Sequence, residues 1–305
     1  MDDHSSSRRI GLSEDDDPIG IVAGAKLTGR IKNFNLGALA IRREEFADLS
    51  AKDLFVARGS MNVLDESAVG FIVTNGGPTT NESNSVFGVD FLYRNCDGPF
   101  GQIVTGNFWA QQNDSSNLSG DDQAFGARLV LPNDRISAYL AGEEIQENFN
   151  PALGFVNSAG IRRYLAGFRY RTRPKTSMWR AINYHIDFAQ VTDMRGNVLS
   201  QQTRIRPVGL YSHNGDFWFI DVEYNREVVT AAFDLFDRLN IPAGDYEFDR
   251  IRAVVSTGMQ RAVNVVLSAQ AGGLFGGGRL QKFVELQSTV ATICLLLDGH
   301  NFRRK

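Results

Sequence analysis

Apolar and polar residues alternate in segments of about ten residues along most of the chain. In the segment 161–173, Tyr164, Ala166, Phe168 and Tyr170 occupy every second position. The intervening positions include three arginines, Arg163, Arg169 and Arg171. Successive side chains of a β-strand point to opposite faces, so this period of two predicts strands with one apolar face and one charged face.

The same pattern recurs in six further segments: 85–94, 123–132, 180–190, 216–225, 249–257 and 262–272. Their polar positions supply further candidate residues, namely His185, Asp187, Asp221, Glu223, Arg250 and Arg252. Clusters of Gly, Asn, Asp, Ser and Pro separate the segments, as expected for hairpin connections. The pattern therefore predicts an all-β fold of about fourteen antiparallel, up-and-down strands or more.

Two kinds of β protein produce such alternation. A soluble β-sandwich buries one face of each strand and hydrates the other. A membrane β-barrel turns its apolar face to lipid and its polar face to the lumen, and its strands are about 9–11 residues long. The long segments, the aromatic residues near strand ends and the concentration of arginines and carboxylates on one face favour the transmembrane β-barrel. The candidate residues are then expected to face its lumen.

The connections differ in length. Alternation of long and short loops is typical of an up-and-down membrane barrel. The expected extracellular loops are 75–84 and 113–122, and the expected periplasmic turns are 131–135, 171–177 and 193–197. A long non-alternating connection, 230–246, is expected to hold a short helical turn or to fold inward.

Composition excludes several other classes of protein. The net charge of −3 gives no argument for a nucleic-acid partner, and no apolar run reaches the roughly 18 residues of a membrane helix. Cys96 and Cys294 cannot build a disulfide framework. The four histidines are scattered along the chain. We therefore expect no metal and no other cofactor.

The paired carboxylates invite a catalytic interpretation. Asp221 and Glu223 share one strand face, about 7 Å apart, and glycosidases use two carboxyl groups. Charged side chains that pair across strands are a simpler explanation, so we predict that the chain is not an enzyme. The arginines are expected either to neutralise acids on neighbouring strands or to form a basic lumen wall that attracts anionic solutes or glycans. The segment 272–278, GGLFGGG, lacks the Lys-Ser/Thr ending of a phosphate-binding loop and indicates a hairpin turn.

Three further segments are GAKLTGRIKNFNLGALAI (24–41), FNPALGFVNSAGIRRY (149–164) and IPAGDYEFDR (241–250). They resemble a bacterial family in which a membrane barrel of unknown function (DUF5916) follows a carbohydrate-binding family 9-like domain. The resemblance runs from about residue 22 to about residue 286 in the same order. It implies an outer-membrane location, contact with outer-membrane lipid and an unassigned function, and it supplies no catalytic residues.

The resemblance also suggests how the chain is divided. Residues 1–20 are expected to be a disordered leader or linker, and residues 21–305 a barrel domain that is truncated at its C-terminus, because the alternation fades after Gln287. The first functional hypothesis is an outer-membrane barrel for transport or surface scaffolding, linked to glycan handling. The alternative is a soluble carbohydrate-binding β-sandwich or barrel without catalysis, although Trp109, Trp179 and Trp218 fall within predicted strands rather than in loops.

Overall fold

The structure of the chain is a computed structural model. It describes residues 10–13, 17–98, 101–116, 118–175, 178–235, 239–261, 263–274, 277–288 and 292–300. Side chains are described up to Gly273, except at 235, 239 and 263. The named elements of this part of the chain are all β-strands, which confirms the all-β prediction. In the same residues no helix has the length and apolar character needed to cross a membrane.

The first of two compact units comprises the described residues of Met1–Val130 and Ala141–Arg163. Six strands lie wholly within it: β1 (Ile21–Ile31), β2 (Phe34–Arg43), β3 (Lys52–Val63), β4 (Ser67–Asn75), β5 (Asn84–Asn95) and β6 (Val104–Ser115). Each pairs antiparallel with the next strand along the chain. Ahead of β1, Leu12 and Pro18 form an isolated bridge and Ile19 is buried. Local contacts therefore occur within the predicted leader.

The second unit comprises the described residues of Leu131–Leu140 and Tyr164–Lys305. Its complete strands are β10 (Trp179–Asp193), β11 (Val198–Ser212), β12 (Phe217–Val229), β13 (Phe233–Leu235), β14 (Leu239–Ile241), β15 (Gly244–Ser256), β16 (Val263–Leu274), β17 (Gly277–Ser288) and β18 (Thr292–His300). The short strands β13 and β14 pair only with each other. This hairpin lies in the connection 230–246, so the short helical turn expected there is wrong for its described residues.

Three more strands complete the set: β7 (Gln123–Pro132), β8 (Ile136–Ile145) and β9 (Ile161–Thr172). Strand order in the sheet follows chain order from β1 to β12 and continues with β15 to β18, sixteen strands in the described residues. The antiparallel, up-and-down prediction is therefore confirmed. The described residues of 272–278 pair across the end of the β16–β17 hairpin, with Leu274 opposite Gly277, as predicted. Strand order alone does not establish closure, so the transmembrane barrel stays a prediction.

The two faces of the strands are exposed in the reverse of the usual sense. In the second unit, Trp218 and Ile220 on the apolar face of β12 are 45% and 41% exposed. Asp221, on the opposite face of the same strand, is only 3% exposed. In the first unit, Phe87 and Val89 of β5 are 56% and 46% exposed, whereas Asn84 and Val86 on the other face of the strand are buried. The predicted alternation is confirmed, and its apolar side is the exposed one.

Loop length does not identify the end of the sheet at which a connection lies. The connections 171–177 and 193–197 were both expected to be periplasmic turns. They flank the same strand, β10, so they lie at its opposite ends. The assignment of both to one side is therefore wrong, because a strand that crosses once reverses side for each successive turn.

Polar side chains hold three loops together at one end of the first unit. Arg43, the last residue of β2, is buried and donates to the carbonyls of Pro78 and Ser50, at 2.5 and 2.6 Å. Asn84, the first residue of β5, donates to the carbonyl of Asn150 at 2.8 Å and accepts from the backbone N–H of Ala152 at 3.0 Å. These bonds fix the loops 44–51, 76–83 and 146–160, the last of which contains most of the FNPALGFVNSAGIRRY segment.

Hydrogen bonds to the Asp216 carboxylate join two turns of the second unit. Asp216, after β11, accepts from the backbone N–H of Gly258 at 2.8 Å and from Nη2 of Arg261 at 3.0 Å. The bond from Gly258, together with the Arg261 guanidinium, lowers the pKa of the Asp216 carboxyl below its ordinary value. The turn 213–216 is thereby bound to the connection 257–262.

We expect Asn84→Ala to loosen the loop 146–160. The buried bonds of Asn84 have no replacement, and each unsatisfied buried group costs about 1–3 kcal/mol. The variant should lose about 2–3 kcal/mol of unfolding free energy and be cleaved faster within 146–160 in limited proteolysis. Asn75→Ala is the matched control, since exposed Asn75 bonds only to Ser85 Oγ. Equal cleavage of both variants would contradict the assigned role.

Asp216 should make stability depend on pH. Its pKa is lowered in the folded state, so the stabilisation is present above the ordinary carboxyl pKa and is lost as the pH falls through the lower, folded value. Asp216→Asn should therefore be less stable than the unmodified chain at neutral pH, and the two should converge in acid. Denaturant unfolding over a pH series measures the difference, and a gap that does not narrow as the pH falls would refute the assignment.

Candidate functional site

A group of charged side chains that lie opposite one another in the register occupies the polar side of β10, β11, β12 and β15. We name this surface the charged face and define it by the following residues: His185, Asp187, Arg204, Arg206, Asp221, Glu223, Arg250 and Arg252. Its register is antiparallel throughout, with Asp187 opposite Arg204, Arg204 opposite Glu223 and Glu223 opposite Arg250. Acidic and basic strands therefore alternate across the face.

Two ion pairs organise the charged face. Arg206 binds Asp221 through two parallel bonds, Nε to Oδ1 at 2.7 Å and Nη2 to Oδ2 at 2.8 Å. Arg204 Nε donates to Glu223 Oε1 at 2.8 Å. A bidentate guanidinium–carboxylate pair is among the strongest side-chain contacts. The first pair is the better shielded of the two, because both of its side chains are largely buried.

Asp187 is held from two directions. Tyr139 Oη of β8 donates to its Oδ1 at 3.0 Å, and His185 Nε2 contacts its Oδ2. Both contacts lie on the polar side, as the alternation predicts for His185 and Asp187. Gly167 of β9 leaves room for this group, because a Cβ there would lie 2.2 Å from Tyr139 Cε1 and 2.7 Å from Asp187 Oδ1.

Two of the three predicted arginines of β9, Arg163 and Arg171, form ion pairs. Arg163 lies in the first unit and pairs with Glu143 at 2.7 Å. Arg171 lies in the second unit, donates to Asn183 at 2.9 Å and pairs with Asp134 at 2.8 Å. Arg173 and Arg171 together lower the pKa of the Asp134 carboxyl, which lies in the turn after β7. Arg163 thus pairs with an acid on the neighbouring strand β8, whereas the acid that pairs with Arg171 lies in a turn.

Arg169, Arg250 and Arg252 make no ion pair among the described side chains. The Nε of Arg169 is buried without a hydrogen-bond partner. Arg250 donates from Nε to the carbonyl of Gly273 at 3.3 Å and lies over the Phe248 ring, with 4.8 Å from Cζ to the ring centroid. Arg252 is exposed, although it faces Asp221 in the register. Asp221 is bound by Arg206 instead, and Arg252 has no carboxylate partner among the described side chains.

An aromatic strip borders the charged face, and the sequence patterns did not predict it. Tyr211 and Phe217 stack with centroids 6.1 Å apart, and Phe217 and Phe219 stack at 6.2 Å with nearly parallel planes. The guanidinium carbon of Arg206 lies 3.7 Å from the Phe219 centroid. The strip shares the polar side of β11 and β12, whereas Trp218 lies on the apolar side against Trp179.

Arg204 and Arg206 were also missed by sequence reasoning. They lie in QQTRIRPVGLY, where Arg204 and Arg206 alternate with Ile205 before Pro207 interrupts the pattern. The structure has an irregularity between Ile205 and Val208, and the extra residue there disrupts the period of two. The Arg-Ile-Arg triplet was the available signal, although three residues are too few to establish a face.

The geometry favours binding over acid–base catalysis. Asp221 and Glu223 do share a face, as predicted, but Arg206 engages both oxygens of Asp221 and Arg204 engages Glu223. Asp221 therefore has both oxygens bonded to a guanidinium, and Glu223 has its Oε1 bonded to another. Among the described residues, no group of three or more His, Cys, Asp or Glu side chains could hold a metal ion.

Comparisons of the chain with protein-family models, with curated proteins and with solved structures found no match. The charged face must therefore be interpreted from its own chemistry.

We expect Arg206→Gln to destabilise the second unit. The change would leave the Asp221 carboxylate buried and uncompensated, a loss of about 3 kcal/mol in unfolding free energy. Arg206→Gln combined with Asp221→Asn should recover part of that loss, because it removes both charges. Denaturant unfolding of the two single variants and the double variant measures the coupling.

The control pair is Arg42 and Asp53, whose side chains are at least half exposed. Asp53→Asn should cost less than about 1 kcal/mol. A coupling at Arg206 and Asp221 no larger than that of the control pair would contradict an organising role for the buried pair.

Proposed function

We propose that the chain forms an outer-membrane β-barrel with its apolar strand faces in lipid and its charged face toward the lumen. One observation carries the proposal: apolar side chains such as Phe87 and Ile220 are exposed in both units, whereas Asp221, on the opposite face of β12 from Ile220, is buried. Water would favour the opposite arrangement, since burying apolar surface is the main favourable term in folding. Lipid removes that penalty for exposed apolar side chains.

The row of exposed apolar side chains on β12, which we name the apolar band, ends in a way that supports the same proposal. On β12, the exposed side chains Trp218, Ile220 and Tyr224 are followed by Arg226. Arg226 pairs with Asp245 of β15 at 2.7 Å, on the apolar side of the sheet. An aromatic ring next to charged groups is the order expected at a membrane interface. The resemblance of three segments to DUF5916 barrels implies the same location.

Within this proposal, the chain serves transport or surface scaffolding. The Arg-rich charged face lines a polar interior and is suited to contact solutes or glycans. The alternative, a soluble carbohydrate-binding β protein, requires the exposed aromatic residues to contact ligand rather than lipid. The two functions therefore differ in the surroundings of the apolar faces, which can be measured.

The proposal is tested by a charge placed on the apolar face of the full-length chain folded into phosphatidylcholine vesicles. Ile220→Arg should lower the unfolding free energy by roughly 2–4 kcal/mol, because its side chain lies within the band. Val228→Arg, on the same strand and face but beyond Arg226, should cost at most about 1 kcal/mol. Heat-modifiable gel mobility reports whether each variant has folded.

A water-exposed face gives a different result. Both substitutions would then change stability by less than about 0.5 kcal/mol. A chain that remains soluble, shows no heat-modifiable mobility and tolerates Ile220→Arg would overturn the membrane proposal. Binding of neutral glycans by that soluble chain would identify the alternative function.

A further inference from the structure

Arg252 belongs to the charged face, and its guanidinium has no partner among the described side chains. It lies between Asp221 on β12 and Gln270 on β16 in the register. Both oxygens of Asp221 are bonded to Arg206, and no described side chain forms an ion pair or hydrogen bond with Arg252. Its exposed guanidinium thus has no partner among the described side chains, and a guanidinium can bind an oxyanion through two parallel bonds.

Arg250 extends this cationic surface along β15. It is two residues from Arg252 on the same face, about 7 Å along the strand. Among the described groups its only hydrogen bond is from Nε to the carbonyl of Gly273. The opposite carboxylate, Glu223, is bonded to Arg204. Arg250 also interacts electrostatically with Glu227, without forming an ion pair in the described residues.

The aromatic strip lies next to this surface. Phe219 is opposite Val254, one step along the polar side from the pair of Asp221 and Arg252. Phe217 is opposite Ser256, one step further. Both rings are only half-buried. A polar surface that presents flat rings beside a free guanidinium suits a ligand with an apolar ring face and an anionic group.

We propose that Arg252, Arg250, Phe217 and Phe219 form a binding site for ring-bearing organic anions. The carboxylate or sulfate of the ligand bonds to the arginines, and its ring packs on the phenylalanines. Uronic-acid sugars and aromatic carboxylates share this chemistry. The inference rests on the proposed function, because it takes the charged face to line a solvent-filled interior.

A matched pair of probes tests the site. 4-Nitrophenyl β-glucuronide and 4-nitrophenyl β-glucoside differ at one position, where the first carries a carboxylate and the second a hydroxymethyl group. Equilibrium dialysis against the full-length chain in detergent micelles should show that the glucuronide binds about ten-fold more tightly, the typical value of a charged hydrogen bond. Added salt should weaken its binding. Benzoate as competitor distinguishes the two sources of the anion, since displacement assigns the site to ring-bearing carboxylates in general and its absence restricts the site to the sugar acid.

Substitutions locate the site. Arg252→Gln should reduce glucuronide affinity about ten-fold and leave glucoside binding unchanged, and Phe217→Leu should weaken both. Arg226→Gln is the control, because it removes an arginine from the apolar side. Equal binding of the two probes, no binding of the glucuronide, or equal losses in Arg252→Gln and Arg226→Gln would overturn the proposal.

Failure of this inference is distinguishable from failure of the barrel proposal. A chain that inserts into vesicles with heat-modifiable mobility but fails to bind the glucuronide refutes the site alone. A soluble chain that binds the glucuronide through Arg252 refutes the membrane location and keeps the site.

Discussion

The period of two in a β-strand is the constraint on which the whole structure depends. One backbone presents two chemically opposite faces, and a register slip of one residue would exchange them. In β12 such a slip would turn Asp221 to the side now occupied by Ile220 and place Ile220 among the arginines. The cross-strand pair of Arg206 and Asp221 resists that slip, because its two bonds form in only one register. Ion pairs on the charged face therefore specify the position of the apolar face as well.

Sequence patterns predicted those features of the fold that depend on neighbouring residues. The assignment of four residues to the polar side of their strands was correct, because it follows from counting residues along one strand. They are His185, Asp187, Asp221 and Glu223. Features that depend on distant residues were not predicted. Tyr139 reaches Asp187 from 48 residues away, and Asn84 holds a loop 66 residues further along. No local period encodes such contacts.

The errors have equally physical origins. The turns before and after β10 were placed on one side because loop length was taken as a sign of side, whereas side follows from the number of strand reversals. The described residues of 230–246 form a strand hairpin instead of the expected helical turn, since a break in alternation shows only that a regular amphipathic strand is interrupted. Two three-residue strands, β13 and β14, interrupt it equally well. They are too short for alternation to be recognised.

The distribution of bonds on the charged face matters more than the number of its charges. A bidentate guanidinium engages both oxygens of a carboxylate. Asp221 lies opposite Arg252 in the register, yet both of its oxygens are bonded to Arg206. Arg252 therefore has no ion-pair partner among the described side chains, whereas Arg250 interacts electrostatically with Glu227. Counting charges would pair each acid with the arginine opposite it, whereas the bonds show that Asp221 takes a different partner.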